Sequence, residues 1–211
     1  MKTHTVINNK VTLLILSVLA SSGCAIIPAH QVPIVQSFPQ LDTNQRPTVL
    51  IQAKYRMQIP GVATNNFYDY DNFKILVAKT IKKSDLFRKY GFSKATTTNA
   101  NYQIVLRMRR DTRGETLCNV ISILSVTLIP STMKDIYILE GALLNSKGQI
   151  LKTYRYEDSA RSWVHLTLLP FIFFRPPWTV CDNIQVNLVN CFLRDVASEF
   201  MQDQSHDSHQ D

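Results

Sequence analysis

Apolar and polar side chains alternate from residue 49 onward: Val49, Ile51, Ala53 and Tyr55 stand against Leu50, Gln52, Lys54 and Arg56. A period of two predicts a strand. Phe73, Leu76, Val77 and Ile81 then recur at helical spacing. Asp69 and Asp71 precede them and Lys79, Lys82 and Lys83 close the run, the charge order that a helix dipole favours. A second strand follows, with Tyr102, Ile104, Leu106 and Met108 alternating with Gln103, Val105, Arg107 and Arg109. The β-rich runs 135–144 and 149–158 flank Asn145-Ser146-Lys147-Gly148, a short polar loop that predicts a hairpin. From about Thr179, a helix places Ile184, Leu188, Cys191, Phe192, Val196 and Phe200 on one face. The order β-α-β-β-β-α predicts an α/β fold: a two-layer sandwich of about four strands with two helices on one face. That domain is expected to span 48–202, ahead of a polar, disordered tail at 203–211.

The N-terminal pattern is different. Lys2 and Lys10 bracket a polar start, Val11 to Leu19 is nearly all apolar, and Ala20, Ser21, Ser22 and Gly23 are small. This order predicts a secretory signal peptide over residues 1–23. The apolar run is shorter than the roughly 20 residues a membrane-spanning helix needs. Residues 24–47 carry Pro28, Pro33, Pro39 and Pro47, a density that opposes helix and predicts an extended tether.

Leu19-Ala20-Ser21-Ser22-Gly23-Cys24 resembles the bacterial lipobox, although the family's usual Leu three places before the cysteine is Ser21 here. The resemblance implies cleavage before Cys24 and attachment of lipid to its thiol and new amine. Ala25, where an Asp would signal retention, implies export to the periplasmic face of the outer membrane. Two or three acyl chains anchor firmly, whereas one does not. The alternative is ordinary cleavage after Ala20, which leaves Cys24 a plain cysteine.

Composition narrows the chemistry. The formal charge of +7 loses Lys2 and Lys10, and no acid, with residues 1–23, so the processed chain stands near +5. That suits anionic headgroups or glycans, or simply a soluble surface. Cys118, Cys181 and Cys191 remain; an oxidising compartment permits one disulfide, but ten helical residues would hold Cys181 and Cys191 about 15 Å apart. No Cys/His set has metal spacing, and His206 and His209 fall in the tail. The chain holds no Gly-x-Ser-x-Gly elbow, HExxH or phosphate loop, and six glycines leave little for a cofactor cradle. No enzyme, cofactor, metal or nucleic-acid partner is expected.

Leu86-Phe87 and Ala100-Asn101-Tyr102 resemble a pattern in periplasmic α/β lipoproteins, namely curli-secretion-type pore proteins, penicillin-binding-protein activators and transport-auxiliary proteins. Those families often carry Ala-Asp-Tyr at the second place. The resemblance covers about residues 48–158 and implies a fold and an envelope location, not a function.

Two candidate surfaces remain. Residues 124–130 and 164–170 share a pattern ending in Pro130 and Pro170, one before the hairpin and one after it, so both should leave at the same end. The second continues through Phe171, Phe173, Phe174, Arg175 and Trp178, with Trp163 just before it. Aromatic rings beside a base suit a bilayer interface or a protein-binding hot spot; the alternative is that both segments are core. Arg107 and Arg109, close to Arg110 and Arg113, are candidates for anion binding, although Asp111 and Glu115 interleave with them as on a solvated face. The expectation is therefore a lipid-anchored, non-catalytic binding or assembly factor of the cell envelope, with a membrane contact and a protein partner. A small periplasmic hydrolase or anionic-ligand-binding protein is the first alternative. An oligomeric secretion-channel component is the second.

Overall fold

The computed structural model describes residues 23–43, 46–58, 71–92, 100–114, 131–165 and 177–207. Six strands and two helices lie among them: β1 (Gly23–Pro28), β2 (Thr48–Gln58), α1 (Asp71–Ser84), β3 (Lys89–Gly91), β4 (Tyr102–Gly114), β5 (Ser131–Asn145), β6 (Ile150–His165) and α2 (Pro177–Asp207). They form one sheet in the order β1-β6-β5-β4-β2-β3.

The middle of this sheet is the one the alternation predicts. β2 and β4 pair in parallel, with α1 between them in sequence, and β4, β5 and β6 form an antiparallel meander. The hairpin turn is built locally. Asn145 Oδ1 accepts the N–H groups of Lys147 and Gln149 at 3.0 and 2.9 Å, and Gly148 sits at φ 81°, a conformation that costs glycine nothing. Asp85, at φ 54°, follows α1 in the left-handed conformation common just past helix ends and pairs with Arg46 at 2.7 Å. Asn101 fastens β4 to β2 reciprocally: its Oδ1 accepts from Thr48 N–H, and its own N–H donates to Thr48 O, both at 2.9 Å.

The sheet has six strands, not about four. β3 is three residues long, too short to display a period. β1 lies in the stretch expected to be cleavage site and tether, and it pairs antiparallel with β6 from Gly23↔His165 to Pro28↔Ala160. Its terminal proline is tolerated because an edge strand need not donate on its open side.

Nor do the described residues that follow hang free as a tether. Ala29 N–H donates to Ser159 O at 2.8 Å, and Gln31 N–H to the buried Asp158 Oδ1 at 3.1 Å. Val35 N–H reaches Asn187 Oδ1 at 3.2 Å, while Asn187 Nδ2 and Cys191 Sγ donate to Pro33 O at 3.3 and 3.4 Å. The prolines that oppose helix make an extended strap along α2, in which a missing N–H needs no partner. Leu41 ends the strap in the core. At the other end of the chain, α2 runs on to Asp207, through the first half of the expected tail.

Both helices pack on one face. Phe73, Val77 and Ile81 of α1 and Ile184, Leu188, Phe192, Val196 and Phe200 of α2 bury against Ile51, Ile104, Leu106, Met108, Tyr137 and Leu139. Gly141 of β5 allows α2 its close approach, because any side chain there would run into the Phe192 ring. Cys181 and Cys191 both lie on α2 and both are free thiols. Among the described residues, no helix is long and apolar enough to cross a membrane.

Candidate anchoring and binding surface

Strand alternation puts the even-numbered β4 core residues under the helices and turns Arg107, Arg109 and Arg113 to the opposite face. Register then aligns side chains across that face in rows. Lys54, Arg107, Glu140 and Arg155 form one row; Arg56, Arg109, Ile138 and Glu157 form the next. Acids on this face are already engaged: Arg155 pairs with Glu140 at 2.9 Å, and Arg109 Nε with Asp111 at 3.1 Å. Two rows further along, past Asp111, Ile136 and Ser159, Arg113, Lys134 and Arg161 stand directly opposite one another on β4, β5 and β6, with Ile27 of β1 completing the row.

Arg110 belongs to the helix face and has a different role. It donates to Asp135 at 2.7 Å, Thr112 donates to the other oxygen at 2.6 Å, and the guanidinium lies 5.5 Å from the Tyr137 ring centre. Burial works against its charge, but the Asp135 hydrogen bond and the charges of Tyr137, Asp135 and Cys181 together outweigh it and hold its pKa above the usual range. A cleft of about 510 Å³ between the helices is lined by Tyr55, Lys79, Arg110, Cys181 and Asp182. A second, of about 530 Å³, lies between the strap and α2 and is lined by His30, Val35, Asp158, Asn183 and Asn187. The first has an arginine and no histidine; the second has the histidine and no arginine, among the described residues. Arg107 and Arg109 line neither. No group of three or more His, Cys, Asp or Glu suited to a metal occurs among the described residues.

The predicted lipid-attachment residue and one predicted contact residue lie at one corner of the sheet. Cys24 lies in β1 opposite Val164, and Trp163, 38% exposed, lies opposite Ala25 of β1 and Thr132 of β5. Trp178 is in the first turn of α2. Phe171, Phe173 and Phe174, and the recurring segments 124–130 and 166–170, lie outside the described residues. The pairing Ser131↔Val164 does place the departures of both segments side by side. Sequence reasoning missed Lys134 and Arg161. Counting outward from the Asn145–Gly148 turn finds them opposite each other, apart from the shift at Leu143/Leu144.

No family model matches the chain, and no curated protein matches it. Solved structures do. A protein described as a neuraminyllactose-binding hemagglutinin homolog from Helicobacter pylori aligns over 87% of this chain and 99% of its own, at 8% identity and TM-score 0.50. The chain shares that fold. Looser likenesses are a PelC dodecamer from Paraburkholderia phytofirmans (11% identity, 82% and 98% coverage, TM-score 0.35) and a minor lipoprotein from Acinetobacter baumannii (13% identity, 71% and 94% coverage, TM-score 0.36).

Proposed function

We propose that this chain is a lipid-anchored protein of the outer membrane's periplasmic face that binds or assembles and does not catalyse. One observation carries the reading: Cys24, the cysteine of the lipobox-like segment, belongs to the edge strand that pairs beside exposed Trp163, at a corner of a sheet whose face away from the helices carries exposed Arg113, Lys134 and Arg161. An acylated Cys24 would hold this corner, not a distant tether end, against the bilayer. Trp163, with Phe171, Phe173, Phe174 and Trp178, supplies the contact to the membrane or to an envelope protein.

The test is metabolic. Cells fed labelled palmitate should yield a chain whose first peptide starts at Cys24 and carries acyl mass. Cys24→Ala should take up no label and move from the membrane pellet to the soluble envelope fraction. A Cys24→Ala chain that still labels and pellets with membranes would overturn the assignment.

A further inference from the structure

We propose that the row Arg113–Lys134–Arg161, together with Trp163, is a second attachment point, which docks on the anionic phospholipid headgroups of a bilayer. The proposal rests on the lipid anchor at Cys24, which decides which corner of the domain meets the membrane.

Register makes the case. Arg113↔Lys134 and Lys134↔Arg161 are direct cross-strand partners, so three cations sit on neighbouring strands about 4.8 Å apart. Like charges directly opposite each other destabilise a sheet. The same face sets Lys54 opposite Arg107 and Arg56 opposite Arg109, but each of those rows also holds an acid, Glu140 or Glu157, and the Arg113–Lys134–Arg161 row holds none. In this row all three side chains are exposed, and no ion pair among the described residues involves them. A row of cations with no ion pair among the described residues is complementary to a plane of phosphates.

Position selects a membrane as the source of those phosphates. Arg161 lies opposite Ile27 of β1, and Trp163, two residues on and on the same face, lies opposite Ala25. Cys24 is the next residue of the same strand. Cys24 alternates to the other face of the sheet, so an acylated N-terminus would leave the protein at the edge that Trp163 and Arg161 border, not from the basic face itself. Ile27 is 59% exposed and Trp163 38%, so the corner offers an apolar residue, an interfacial aromatic ring and three bases together. That combination suits the headgroup layer, where tryptophan concentrates and each base near an anionic surface adds about 1 kcal/mol.

The experiment uses the full chain purified from membranes and mixed with vesicles of phosphatidylcholine, with or without phosphatidylglycerol. Trp178→Phe leaves Trp163 as the sole tryptophan, and brominated lipid reports its contact with the bilayer. Trp163 should be quenched on the phosphatidylglycerol vesicles and released by high salt. The exposed-site triple variant R113Q/K134Q/R161Q, with an unchanged circular dichroism spectrum, should lower the docking equilibrium by about a hundredfold. Quenching indifferent to phosphatidylglycerol, to salt or to the triple variant overturns the proposal. The mass of the N-terminal peptide from the same sample separates the two readings. Acylated Cys24 with unquenched Trp163 refutes docking alone; bare Cys24 with charge-dependent quenching refutes the anchor alone and supports docking.

Discussion

Leu106 and Arg107 are neighbours in β4, yet they live under different rules. Leu106 is fully buried beneath the helices, in a face where each side chain is fitted to others. Arg107 is exposed, in a row where Lys54 and Glu140 are its partners by register and no close packing holds it. One face spends its residues on stability and leaves little for recognition; the other buries Leu50, Ile136 and Ile138 yet leaves exposed charges such as Arg107 on offer. A single strand thus separates the fold from its business by alternation alone.

Three perturbations probe that contrast, and Leu106→Ala should have the largest effect. Emptying a fully buried leucine site costs about 2–5 kcal/mol, read as a lowered urea midpoint. The alkaline limb comes next. Burial, with the Cys181 thiol beside its hydroxyl, raises the Tyr137 pKa; burial and the Asp195 carboxylate raise that of Tyr156. Burial and the charges of Glu199 and Asp195 raise that of Tyr154. Each phenol is kept neutral in the fold but ionises near pH 10 when unfolded. Their contribution is therefore whole below about pH 10 and lost as pH rises above it, at no more than about 1.4 kcal/mol per pH unit for Tyr137 and much less for Tyr154 and Tyr156, which water screens. Unfolding between pH 8 and 11.5 should show this decline, and Tyr137→Phe should make it shallower. Smallest is Arg107→Ala, within about 0.5 kcal/mol by the same unfolding measurement. A loss above 1 kcal/mol there would mean that the outer face is a second core and would end the contrast.

The inner face was legible because burial imposes a period. Val49 to Tyr55, Tyr102 to Met108 and the Ile184–Phe200 stripe each announced an element, and the Asn145–Gly148 turn announced its hairpin. What stayed hidden lacked a period or depended on distant pairing. β3 has three residues, and β1 is a strand only because β6 offers it an edge. The strap is specified by Asp158 and Asn187, more than a hundred residues away in sequence. The candidate surface was half visible. Arg107 and Arg109 stood out because one strand carries both. The Arg113–Lys134–Arg161 row needs three strands in register before it exists at all.

The β1–β6 ladder also has a mechanical consequence. A pull on Cys24 along the strand loads the five paired positions from Cys24 to Pro28 in shear, all at once, rather than peeling them in succession. Behind this edge, where Ile26 already packs against the core, Gln31 N–H is clasped by Asp158. A load applied along this strand would be shared across the ladder instead of falling on one hydrogen bond at a time.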